Sequence, residues 1–113
     1  MGLDATVYLR GHGPDDDDCA DHQAAHRRLA NIALAGHLRE RVGGRLARNS
    51  LLLAEVLYSG AHAGGELPVE FIPAMMEELA ALADDDDPQV RAFVQAMADL
   101  AEAAVQQSNP ICF

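Results

Sequence analysis

From residue 69 to 107, apolar side chains recur every three or four positions, and this pattern constrains the fold more than any other feature of the chain. Val90, Phe93, Val94, Met97, Leu100, Ala101, Ala104 and Val105 fall on one stripe of a helix. Ile72, Met75, Met76, Leu79, Leu82 and Ala83 fall on another. Between them stand four consecutive Asp, with Asp87 placed to cap the next helix and Pro88 at its first position. Two helices with one oily side each must bury those sides against a common core. The spacing therefore predicts a third helix over 69–83 and a fourth over 88–107.

The earlier half reads less cleanly. Residues 3–10, rich in Thr, Val and Tyr, read as a short strand stopped by Gly11-His12-Gly13-Pro14. Four Asp at 15–18 then precede a long helix expected from Cys19 to Val42, ended by Gly43-Gly44. Ala25, Leu29, Ile32 and Gly36 would form its inner stripe. Gly36 inside a helix costs about 1 kcal/mol relative to Ala, which predicts close approach of another helix there. A second helix is expected from Ser50 to Tyr58, stopped by Ser59-Gly60. The expected architecture is mainly α: one compact four-helix domain over 1–113, its N-terminal strand pairing with the apolar tail Ile111-Cys112-Phe113. The expected core is Leu29, Ile32, Leu53, Val56, Leu57, Met75, Met76, Leu79, Leu82, Val90, Phe93, Val94, Met97 and Leu100.

At 113 residues and half apolar, the chain can build one core without staples. All eight bases are Arg, and Ala is abundant, a composition suggesting a GC-rich bacterial genome. Two cysteines, Cys19 and Cys112, make no disulfide framework, and no leader or membrane-length apolar run is visible. A reducing cytoplasm is the expected setting. The net charge of −10 is uneven: residues 1–48 hold seven acids and seven Arg, residues 49–113 eleven acids and only Arg91. Such a surface repels nucleic acid and attracts basic proteins. The Ala-rich helices also allow a homodimer.

Two clusters bear chemistry. If 19–42 is helical, Cys19, His22 and His26 share one face, and thiolate with imidazole is a zinc donor set. The plain alternative is surface polarity in the first two turns, with no cofactor. The loop Tyr58-Ser59-Gly60-Ala61-His62-Ala63-Gly64-Gly65-Glu66 has three Gly for sharp turns. His62 there could act as acid, base or donor, which leaves a small hydrolytic protein as a competing reading.

Three stretches resemble an uncharacterised family of small bacterial proteins: the start Met1-Gly2-Leu3-Asp4-Ala5-Thr6-Val7-Tyr8, the segment His26-Arg27-Arg28-Leu29-Ala30-Asn31-Ile32-Ala33 with Leu38-Arg39-Glu40, and Val56-Leu57-Tyr58-Ser59-Gly60-Ala61-His62 with the closing Asn109-Pro110-Ile111-Cys112-Phe113. The resemblance implies an immunity-like partner of a bacterial toxin and no enzymatic activity. It also marks Tyr58, Ser59, His62 and Glu66 as a binding or fold-defining site, although Gly65 stands where the family pattern has its acid. Joined to the charge map, it leads to a non-enzymatic, acidic, cytoplasmic binding protein. Glu77, Glu78, Asp84, Asp85, Asp86, Asp87, Asp99 and Glu102 would face outward, unneutralised, toward a basic partner.

Overall fold

A computed structural model describes residues 2–13, 22–47, 49–58 and 65–113. The strand β1, Gly2–Tyr8, is its backbone centre. Leu3, Ala5 and Val7 alternate onto one face and are buried, as period two requires. A strand so buried needs hydrogen-bonded neighbours on both edges. On one side it pairs antiparallel with β2, Gln23–Asn31. On the other it pairs, Thr6 to Cys112, with β4, Ile111–Cys112. The two-residue strand β3, Glu66–Leu67, closes the sheet beyond β4, giving the order β2-β1-β4-β3.

The fold is thus α+β, and the mainly α four-helix reading is wrong. The error lies in residues 23–31. Ala-rich and without visible alternation, they read as the start of a long helix. In the structure they are β2, and the helix α1 begins only at Ile32 and runs to Gly43. Asn31 caps it, its side chain accepting from the Leu34 N–H at 2.8 Å. The alternation is hidden because β2 carries two bulges. The register skips from Leu3↔Ala30 to Asp4↔Arg28, and from Val7↔Ala25 to Tyr8↔Gln23. Leu29 and Ala24 are therefore extra residues, and consecutive Leu29 and Ala30 are both buried.

Helices cover the inner face of the sheet. After α1 comes a π-helical segment, Leu52–Tyr58, whose Leu52, Leu53, Val56 and Leu57 are buried. A 3-10 turn, Val69–Phe71, leads into α2, Ile72–Leu82. The longest helix, α3, spans Pro88–Gln107 and lies across β1 and β2 with α2 at its side. Asp87 caps α3 by accepting from the Gln89 and Val90 N–H groups. The core also holds residues not expected in it: Leu3, Ala5, Val7, Leu38, Val42, Leu67 and Ile111. Met76, expected inside, is instead 41% exposed. Among the described residues no helix is long and apolar enough to cross a membrane.

The chain end is tied down by Asn109. Ser108 takes a left-handed conformation at the end of α3. The Asn109 side chain then donates to the carbonyls of Tyr8 at 2.9 Å, Leu9 at 2.8 Å and His12 at 3.3 Å. This sets β4 beside β1. The motifs at the two ends of the sequence are therefore neighbours in space.

Two substitutions test this description. Asn109→Ala strands carbonyls at the end of β1 and should cost about 1–3 kcal/mol in urea unfolding. Gly36, by contrast, has only open space around a would-be Cβ, so the expected close approach is absent. Gly36→Ala should stabilise the protein by about 1 kcal/mol, a Tm gain of roughly 3–5 °C.

Candidate functional site

The zinc face was expected on a helix, and His26 lies instead within the strand β2. Four residues of extended chain span about 13 Å, against about 6 Å in a helix. His22 precedes β2 and stacks on His12, ring centroids 3.8 Å apart. His26 lies within β2, and its Nδ1 shares a 2.7 Å hydrogen bond with the Thr6 hydroxyl. Cys19, Ser59 and His62 lie outside the described residues, and Tyr58 closes the π-helical segment. Among the described residues, no group of three His, Cys, Asp or Glu is placed to hold a metal ion.

On the outer face of the sheet the registers align His26, Thr6, Cys112 and Glu66 in one transverse row across β2, β1, β4 and β3. A cavity of about 250 Å³ lies over Thr6, Cys112 and Glu66 of this row, lined also by Asp4, Tyr8 and Phe113. Burial, and then the charge of Glu66, push the Cys112 thiol above its ordinary range. It is held protonated, the opposite of an activated nucleophile.

The acidic turn is not the open patch that the sequence suggested. Asp85 is buried, 3% exposed. Its carboxylate accepts from the Asp87 N–H at 2.9 Å, from Arg41 at 3.0 Å and from Arg45 at 3.3 Å. Arg45 also donates to Asp84 at 2.8 Å and to the Ala81 carbonyl at 3.0 Å. Asp87 meets His37 Nε2 at 2.7 Å. Three of the four turn acids are thereby neutralised by α1 and the turn after it. The Asp87 N–H and then the two guanidiniums hold the Asp85 carboxyl down to about 2. Arg45 lowers Asp84, and His37 lowers Asp87. A polar cleft of about 600 Å³ opens beside this cluster, lined by His37, Glu40, Arg41, Arg45 and the turn. Glu78 is structural as well, since its two oxygens accept from the Leu51 and Leu52 N–H groups, both at 2.9 Å.

Sequence reasoning missed His37, Arg41 and Arg45 as partners of the turn. Their signal was available as charge balance, since all three lie in the half of the chain that holds seven of the eight Arg. Distance along the chain, 40 to 50 residues, concealed the pairing.

Among the described acids left exposed outside these pairs, several lie on or beside α2 and α3. Glu70 and Glu77 make no ion pair among the described residues, and neither does Glu102. Asp99 accepts from Gln95 Nε2 at 2.9 Å, and its contact to Arg27 is long, 3.7 Å, with both side chains well exposed, a geometry worth little. Between α2 and α3 runs an apolar groove of about 420 Å³, with Ile72 and Met76 on one wall and Ala98, Ala101 and Val105 on the other. Asp99 and Glu102 line it, and among the described residues no base does. Val105 is 57% exposed there.

Comparison with protein-family models, with curated proteins and with solved structures finds no match to this chain.

The ion-pair cluster makes a pH prediction. A carboxyl whose folded value lies below its unfolded one stabilises the fold above the unfolded value, near 4, and loses that contribution as pH falls toward 2. Asp84, Asp85 and Asp87 all act in this direction. The urea midpoint should stay level from pH 7 to 5 and fall between about pH 4 and 2. Asp85→Asn should lower the midpoint at pH 7 and flatten that acid limb.

Proposed function

We propose that this chain is a non-enzymatic protein-binding module that receives a basic partner on its α2–α3 face. The observation that carries this reading is the groove between α2 and α3: large apolar side chains left in water, with Asp99 and Glu102 beside them. Exposed apolar surface rimmed by charge is characteristic of interaction sites. The acidic rim would speed encounter and select for positive charge. A second copy of the chain is a poor occupant, because two acid-lined grooves repel. Nucleic acid is disfavoured for the same reason.

The reactive groups support binding over hydrolysis. The Cys112 thiol is held protonated, and His26 is engaged with a strand hydroxyl rather than with an activated nucleophile. The setting we propose is a reducing cytoplasm, in which the Cys112 thiol would stay reduced. The resemblance of the sequence ends to an immunity-like family makes a basic bacterial toxin the partner of choice.

The test is a photo-crosslinking residue placed in the whole chain, in cells, at Met76, at Val105 or, as a control on another part of the surface, at Glu55. The first two should trap one protein of net positive charge, with trapping weakened when the lysate is brought to 0.5 M salt, where screening shortens to roughly 4 Å. Equal trapping from position 55, or a captured protein without positive charge, would sink the reading.

A further inference from the structure

We infer that the occupant of the α2–α3 groove is a single amphipathic α-helix whose apolar stripe is flanked by Arg or Lys. This rests on the docking face proposed above and adds the conformation of the partner. Backbone hydrogen bonding carries the argument. A peptide that binds as a strand needs an edge offering free N–H and C=O groups. The walls of this groove are two helices, whose backbone groups are spent within their own turns. An extended segment laid on Ile72, Met76 and Val105 would leave its own polar backbone unpaired on an apolar floor. A helix satisfies those groups internally and presents only side chains.

The dimensions agree. The α3 wall runs from Gln95 to Gln106, twelve residues with a rise of about 16 Å, or three helical turns. Ala98 and Ala101 lie along this wall, and small side chains there allow a third helix to approach to the usual 8–10 Å between axes. Met76 is unbranched and can adjust to the side chains it meets. Both lining acids, Asp99 and Glu102, belong to α3, one turn apart. The bases of the partner should therefore cluster on the flank of its stripe that faces α3.

Two synthetic peptides of eighteen residues and identical Leu, Lys and Ala content provide the probe. In one, Leu recurs at i, i+3, i+4 and i+7; in the other it alternates every second position. Fluorescence anisotropy against the full chain should show the helical-period peptide binding at least about tenfold tighter, a gap of about 1.4 kcal/mol. Circular dichroism should show it gaining helix on mixing, and its amide shifts should map to α2 and α3. Ala98→Leu, which fills the α3 wall without changing charge, should weaken it about tenfold. Met76→Gln, a surface change that leaves the core intact, should weaken it in the same direction. Equal affinity for the two peptides, or indifference to both substitutions, overturns the helical occupant while leaving a charge-selected face standing. If neither peptide binds, the docking face itself falls with it.

Discussion

Everything in this molecule hangs on the pairing of β1 along both of its edges. Leu3, Ala5 and Val7 are buried, so the strand cannot lie at the rim of the sheet. One edge recruits residues 23–31, which have little strand character of their own. The other recruits the last residues of the described chain, held in place by the three hydrogen bonds of Asn109. Once β1 is central, α3 has a surface to lie across, and α2 has α3. The π-helical segment is joined to α2 by Glu78, which reaches back to cap it.

Electrostatics then divides the acids into two populations. One population is structural: Asp85 is buried beneath two guanidiniums, Asp84 shares one of them, and Asp87 is held between His37 and the start of α3. Removing either partner from such a cluster leaves a desolvated charge uncompensated, so it fixes α1 against the α2–α3 turn rather than attracting visitors. Of the acids left exposed, Asp99 and Glu102 line the groove where α2 and α3 leave Met76 and Val105 in water.

Local patterns were legible in the sequence because the interactions behind them are local. The stripes of α2 and α3 obey a 3.6-residue period. The Asp87 cap and Pro88 mark the start of α3, and Asn109-Pro110 follows its end within two residues. The strand near 3–10 announced itself through Val, Thr and Tyr, and the apolar tail needed cover. The candidate site was legible only in part: Asp99 and Glu102 do flank an open face, whereas Glu78 and most of the Asp tetrad are structural. Met76 followed the helical period but sits at the edge of the stripe, where one helix can leave a side chain uncovered.

The sequence alone determined both ends of α3 and, within a residue, the end of α2, because capping and side-chain periodicity involve residues within one or two turns. Tertiary structure decided that 23–31 is a strand, since its two bulges erase alternation and its partner lies some twenty residues away. It also decided which carboxylates are tied into ion pairs and which stay exposed. Strand pairing and ion pairing join residues distant in the chain, and the energy of each depends on neighbours that only the assembled fold supplies.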